Sequence, residues 1–261
     1  MHHNAGMEAL LEAMYEALRP APKILVFSGA GLSTESGIPD FRGPDGLWTR
    51  VDPEDFTIQR YHTNRDLRVR GWRMHLDGEL WGARSRVVPN AGHEAIVRLQ
   101  QGGRLAGVVT QNVDGLHHRS GLGDDMVAEL HGNVRTAHCL DCAASWPTET
   151  VLGWVEEGAE DPPCPECSGL VKTNTVMFGE MLPESEQAKA GMFLAAADAV
   201  LVVGSTVSVW PAAEVVFRAA NRGVPIVIIN RGATDVDHLA RVVIDAGIGE
   251  TLPPLVDRLL A

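Results

Sequence analysis

The sequence predicts an α/β protein: a doubly wound, mostly parallel, Rossmann-like sheet with a smaller lobe made of a zinc-ribbon module and a helical insert. Three observations carry this. Apolar runs bounded by Gly and Pro recur along the chain, helical patterns separate them, and two segments interrupt the alternation, one of them holding every cysteine.

The runs are residues 24–27, 105–109, 199–203, 226–229 and 242–244. Continuous rather than alternating apolar character is what strands covered on both faces require. Between them lie helical patterns at 90–101, with Asn90 as cap, 183–197, 211–221, stopped by Gly223, and 249–260. The first twenty residues alternate Leu, Met and Tyr with Glu as an amphipathic helix does. Residues 45–85 are rich in Arg, Trp and Asp, and residues 135–175 contain the cysteines; both are read as insertions. The Rossmann-like domain is therefore expected to comprise 1–44, 86–134 and 176–261.

With 261 residues, 45% hydrophobic, the chain has enough apolar material for a core. A net charge of −12 argues against direct nucleic-acid binding, which needs clustered Lys and Arg. A Lys-rich peptide would be attracted instead. No apolar run approaches the roughly 20 residues that span a bilayer, and no export signal is visible, so no membrane partner and a cytoplasmic location are expected. The oligomeric state is open.

Cys139-x-x-Cys142 and Cys164-x-x-Cys167 form two knuckles separated by 21 residues. In a chain read as cytoplasmic, this spacing points to one structural Zn2+ rather than to disulfides or a redox pair. Four thiolates fill a tetrahedral shell, leaving no position for an activated water. His138, beside Cys139, is read as structural.

Gly29 and Gly31 follow the first apolar run, where a helix should begin and backbone N–H groups can approach a pyrophosphate. The third glycine of the usual dinucleotide fingerprint would fall at Thr34, whereas the next is Gly37. The continuation Ser36-Gly37-Ile38-Pro39-Asp40-Phe41-Arg42 resists a long helix and carries an aromatic ring and a cation away from the cradle, with Asp40 or Arg42 ordering the loop. Asn112 and Asp114 fit two roles, holding a carboxamide and sugar hydroxyls or capping a helix after the second strand.

These motifs, with Thr110-Gln111-Asn112-Val113-Asp114-Gly115-Leu116-His117, His131-Gly132, Phe178-Gly179-Glu180, and Gly204-Ser205-Thr206 followed by Val209-Trp210-Pro211-Ala212-Ala213, resemble the sirtuin family of NAD-dependent protein-lysine deacylases. The match runs in order from about residue 23 to 255. It implies NAD+ as co-substrate and acylated-lysine proteins or peptides as partners. The amide oxygen of the acyl-lysine would attack ribose C1′, expelling nicotinamide and giving deacylated lysine and O-acyl-ADP-ribose.

The resemblance assigns His131 as general base, at a strand end before a sharp turn at Gly132, with Asn112 as its catalytic companion. Cofactor contacts are implied for Gly29, Ala30, Gly31, Ser33, Asp40, Phe41, Arg42, Gln111, Asn112, Val113, Asp114, Gly204, Ser205, Thr206, Asn230, Arg231 and Ile248. The peptide would lie as an added strand between Phe178-Gly179-Glu180 and the segment containing Val207 and Val209, with Val176 and Phe178 lining the acyl tunnel. His93, His117 and His118 are read as structural.

Three departures qualify the resemblance. Gly204-Ser205-Thr206 replaces the usual Gly-Thr-Ser, and Thr173 stands where proline is common. The Tyr-x-x-Arg pair of members that remove acidic acyl groups is missing: Trp72-Arg73-Met74-His75 supplies none, and Tyr61 and Arg65 are one residue too far apart. An uncharged acyl group, acetyl first, is therefore expected. Protein mono-ADP-ribosyl transfer and a non-catalytic NAD-sensing zinc-ribbon adaptor are the rival readings.

Overall fold

The computed structural model describes residues 2–261. Helix α1 (His2–Leu18) leads into β1 (Ile24–Ser28). The helical insert holds α2 (Ile58–Thr63) and α3 (Arg65–Asp77), capped by Thr57 and Asn64, whose side chains accept the backbone N–H of Arg60 and Leu67. Next come α4 (Ala91–Gln101), β2 (Leu105–Thr110), α5 (Leu116–Arg119) and β3 (Val127–Glu129). The cysteine-bearing region contains β4 (Gly132–Cys139), β5 (Ser145–Pro147), α6 (Thr148–Glu156) and β6 (Val171–Thr175). The chain closes with α7 (Glu184–Ala196), β7 (Ala199–Val203), α8 (Glu214–Asn221), β8 (Ile226–Ile229), β9 (Val242–Ile244) and α9 (Ile248–Leu260).

Six strands form a parallel sheet in the order β3-β2-β1-β7-β8-β9. This is the doubly wound arrangement, with the strand order reversing between β1 and β7. Alternate residues of each central strand feed opposite layers. Ile24, Val26, Leu201, Val203, Val227 and Ile229 join the core shared with α1, α4 and α9. Leu25, Phe27, Val200, Val202, Ile226 and Ile228 join the core with α7 and α8. All are at most 1% exposed, which explains why the sequence shows unbroken apolar runs here.

Three details differ from expectation. The segment after β1 is a 3-10 helix, Ala30–Ser36, ended by Gly37 in the left-handed region, rather than an α-helix. The helix expected from 211 starts at Glu214. A sixth parallel strand, β3, occupies part of the apolar stretch before His131.

The second sheet is antiparallel, in the order β5-β4-β6. Its core is small: Trp72, Ala137, Val151, Leu152 and Val171 with Cys139 and Cys164. The buried Arg68–Asp161 pair at 2.9 Å joins α3 to this region. No helix of the described residues is long and apolar enough to cross a membrane.

Candidate active site

Ligands of open parallel sheets collect beyond the carboxyl ends of the strands, at the point where the strand order reverses. The segments singled out from sequence lie there: Gly29–Ser33 follows β1, Gln111–Asp114 follows β2, Gly204–Thr206 follows β7, and Asn230 and Arg231 follow β8. His131 comes two residues after β3.

The first and third of these segments touch. Gly31 N–H donates to Gly204 C=O at 2.9 Å, and Gly29 N–H to Val203 C=O at 3.1 Å. Gly204 has φ +62°, and a Cβ there would stand 2.3 Å from the Leu32 nitrogen, so no larger residue fits without movement. Two backbones approach closely at the carboxyl ends of β1 and β7, with the N–H groups of Gly29, Gly31 and Leu32 all paired. Ala30 is half-exposed beside them and Ser33 is buried.

The segment after β2 braces that loop. Asn112 is buried, and its amide donates to Gly29 C=O at 3.1 Å and Ser33 Oγ at 3.2 Å. Asp114 accepts from Ser33 Oγ at 2.7 Å and from Leu116 N–H at 2.8 Å, so it holds the loop and the start of α5 together. Of the two alternatives open in the sequence, the bond to Leu116 N–H meets the helix-start one for Asp114. Gln111 donates to Ser205 Oγ at 2.7 Å, linking the loops after β2 and β7, and Val113 packs with the Phe41 cluster. Thr206 Oγ1 lies 2.8 Å from Ser208 Oγ.

His131 is partly buried. Its Nδ1 lies 3.1 Å from the Gln111 carbonyl. A carbonyl only accepts, so Nδ1 carries the hydrogen and Nε2 is left with a lone pair. Burial pushes the imidazole pKa below its ordinary value, opposed in part by that hydrogen bond. The ring is therefore neutral near neutral pH, the form a general base needs. Gly132 turns sharply, with φ +69°, and a Cβ there would fall 1.7 Å from Asn174 C=O.

Other assigned residues sit less openly. Phe41 lies between Trp48 and Trp81, with ring centroids 5.1 and 5.5 Å away, in an aromatic cluster. Asp40 accepts Gly43 N–H at 2.7 Å and so orders the loop, while Arg42 is exposed. Asn230 spends its amide on the carbonyls of Arg231 and Gly232. Arg231 is exposed, and Ile248 is 5% exposed in the core with Leu32.

Of the peptide edges, Phe178 has its N–H paired with Phe56 C=O at 2.9 Å and its C=O with Ile58 N–H at 3.0 Å. Its ring remains 45% exposed, Gly179 is exposed and Val176 is half-buried. Val207 is buried with φ +56°, an uncommon conformation for a β-branched residue, and its N–H donates to Ser205 Oγ at 3.1 Å. Val209 C=O accepts Ala213 N–H at 2.9 Å.

The four cysteine sulfurs lie within 4.8 Å of one another. Cys139 and Cys167 are 3.5 Å apart, and Cys142 and Cys164 3.6 Å, far beyond a disulfide of about 2.05 Å. Zn–S bonds of about 2.3 Å in a tetrahedron put sulfurs about 3.8 Å apart, so the donor set fits one zinc ion with no open position. The knuckles match locally: Ala143 and Ser168, each following a second cysteine, have φ +61° and +63°. His138 is hydrogen-bonded to Asn174 and stands outside the set.

The Sir2 family model matches residues 29–211, which takes in the glycine loop, the segment after β2, His131 and all four cysteines. The chain belongs to the Sir2 family. The NAD-dependent protein deacetylase 2 of Streptomyces coelicolor is 42% identical over 238 residues, covering 90% of this chain and 97% of that relative. A Sir2 enzyme solved to explain mechanism and regulation superposes with TM-score 0.86 at 36% identity, covering 97% of this chain and 98% of the other. A Sir2 complex with a p53 peptide and NAD+ gives TM-score 0.83 at 31% identity, covering 95% and 97%.

Some residues around the Sir2-type crevice escaped the sequence reading. Ser28 Oγ, at the end of β1, lies 2.8 Å from His117 Nε2 and 2.9 Å from Thr110 Oγ1, a buried polar floor beneath the loops. Glu35 accepts Gly249 N–H at 3.0 Å and ties the glycine loop to α9. Lys172 is buried in β6. A polar residue ending an apolar run is a usable signal for Ser28; none marks Glu35.

Proposed function

We propose that this Sir2-family chain is an NAD-dependent protein-lysine deacylase, with acetyl-lysine preferred, releasing nicotinamide and O-acetyl-ADP-ribose. The observation that carries the reading is His131: a neutral imidazole with its Nδ1 hydrogen committed to Gln111, on the strand edge that bears the paired glycine loops. The names of the relatives support it.

When bound, NAD+ supplies an electrophilic ribose carbon with nicotinamide as its leaving group. Gly29, Ala30, Gly31 and Ser33 with Gly204, Ser205 and Thr206 would hold the phosphates and ribose through backbone groups and hydroxyls. Gln111, Val113 and Asp114 would line the nicotinamide side, and Asn112 would keep the glycine loop in register. Asp40 would order the loop that brings Phe41 and Arg42 to the cofactor. His131 Nε2 would take a proton from the nicotinamide ribose, directly or through its hydroxyls. Asn230, Arg231 and Ile248 would flank the adenosine. Val176, Phe178, Gly179, Glu180, Val207 and Val209 would border the acylated peptide, a cytoplasmic protein segment.

In this reading residues 1–44, 86–134 and 176–261 form the NAD-binding domain, and 45–85 with 135–175 the small lobe. Uncharged acyl groups suit the lobe's chemistry. Tyr61 donates its hydroxyl to Val171 C=O at 2.6 Å, and Arg65 faces Glu160 at 3.4 Å. Both are occupied with their own neighbours rather than waiting for an acyl carboxylate.

The test is NAD+ consumption with a panel of acetyl-, longer acyl- and succinyl-lysine peptides. Nicotinamide release is expected with acetyl-lysine. Turnover of succinyl-lysine alone would overturn the acyl assignment, and ADP-ribose mass retained on protein would favour ADP-ribosyl transfer.

A further inference from the structure

Lys172, the second residue of β6, has a side chain only 3% exposed. Its Nζ lies 3.0 Å from Glu180 Oε2 and donates to the carbonyls of Thr173, at 3.1 Å, and Thr175. The same Glu180 oxygen accepts Met177 N–H at 2.8 Å. One carboxylate thus closes the turn 177–180 on itself and fastens it to β6. From the other side, Phe178 is held through its N–H and C=O by Phe56 and Ile58 of the helical insert.

A buried ammonium costs several kcal/mol of desolvation unless it is paired and hydrogen-bonded, and an apolar side chain of similar volume usually serves stability as well or better. Val171, its neighbour in β6, is such a core residue. What an ion pair adds is position. Loop conformers that carry Glu180 away from β6 leave a cation stranded in a dry site, and they are depopulated for that reason. Glu180 is the one carboxylate within 4 Å of Lys172 among the described residues, and its side chain is 21% exposed.

We propose that Lys172 is a positioning residue of the peptide site: its ammonium fixes the segment 177–180 in the conformation that presents Phe178 and Gly179 to the acylated peptide. This rests on the reading of that segment as a peptide edge. Lys172 touches neither substrate nor cofactor; it acts through Glu180.

The experiment compares steady-state kinetics of the full-length, zinc-loaded wild type, Lys172→Met and Lys172→Arg on an acetyl-lysine peptide, varying peptide and NAD+ separately. Lys172→Met is expected to raise the peptide KM about tenfold while kcat and the NAD+ KM stay within about twofold. Lys172→Arg, which keeps the cation, is expected to restore most of the loss. If Lys172→Met does not accumulate as folded protein, Lys172→Gln gives the comparison, because its amide can still donate a hydrogen bond but carries no charge for Glu180. It should show the same selective rise. Unchanged peptide KM, or peptide and NAD+ KM rising together, overturns the inference. A wild type that turns over no acyl peptide sinks the deacylase reading and this inference with it, an outcome distinct from an active wild type with an indifferent variant.

Discussion

The six-stranded sheet and the three-stranded sheet of this Sir2-family chain solve the same problem with different physics. The larger buries both faces of its central strands, from Ile24 to Ile229, under two helical layers. The smaller has few apolar residues and relies on Cys139, Cys142, Cys164 and Cys167, together with charge pairs: Arg68–Asp161, and Arg84 against Glu149 and Glu156. A core of that size does not hold a lobe by burial alone, and a metal cross-link is the usual remedy. The stability of the small lobe should therefore hang on a few replaceable groups, and that of the sheet on none in particular.

The strongest way to break this contrast is Cys164→Ser. Structural zinc supplies an apparent 10–16 kcal/mol, roughly, at neutral pH. Loss of zinc by metal analysis, loss of amide protection in 132–175 and survival of protection in β1, β2 and β7 are the expected results. Uniform loss would mean that the two sheets unfold as one unit.

Arg68→Met comes next. Arg68 is 9% and Asp161 12% exposed in their side chains, and the guanidinium also donates to Tyr61 C=O at 2.7 Å. Removing it leaves a largely buried carboxylate, at a cost of about 3–5 kcal/mol. Denaturant unfolding should place that loss in the small lobe, with the zinc content unchanged.

Acid sharpens the comparison because the small lobe holds one well-buried histidine, His75, and the larger region two, His93 and His117. Burial pushes His75, in α3, and His93, in α4, each down to about 4. The unfolded chain binds protons near 6.5, so between about 6.5 and 4 it carries more protons than the native state and stability falls as pH falls. Each histidine contributes up to about 3 kcal/mol across that window. His117, beneath the glycine loop, is pushed well below its ordinary value by burial, so thermal melts at several pH values should show both regions weakening, the larger one more.

Gly204→Ala acts on one backbone contact of the larger sheet's loops rather than on a whole lobe. Placing a Cβ at φ +62° costs about 1–2 kcal/mol before the clash with Leu32 is relieved. The NAD+ KM should rise more than the peptide KM, since the loop that moves is the glycine loop proposed to hold the cofactor.

Sequence alone located five of the six parallel strands, the central ones because they are buried on both faces, and missed three-residue β3. The runs at 199–203, 226–229 and 242–244 agree with β7, β8 and β9 residue for residue. In the small lobe the cysteines were the clear signal, and 45–85 was readable as a helical insert but without element boundaries. Its helices α2 and α3 are short and charged, and its strands mix Lys172, Thr173 and Asn174 into the pattern, so periodicity carries little signal. At the site, residue types and order were readable but side-chain direction was not. Asn112, Asp114 and Asn230 are polar residues at strand ends; Asn112 and Asp114 reach across to Gly29 and Ser33 of the glycine loop, a choice set by tertiary approach, while Asn230 bonds within its own loop. Phe41 was expected to contact the cofactor, and the aromatic cluster around it depends on Trp48 and Trp81, residues of the helical insert whose packing the sequence did not reveal.

The most direct test of the central claim is the product balance of one reaction, run with wild type and with His131→Ala on an acetyl-lysine peptide. The account predicts equal amounts of nicotinamide, deacetylated peptide and O-acetyl-ADP-ribose from the wild type, none without NAD+, and a fall of roughly 10²–10⁴ in the variant with its fold and zinc intact. Deacetylation that proceeds without NAD+, or a His131→Ala protein with undiminished turnover, would contradict it.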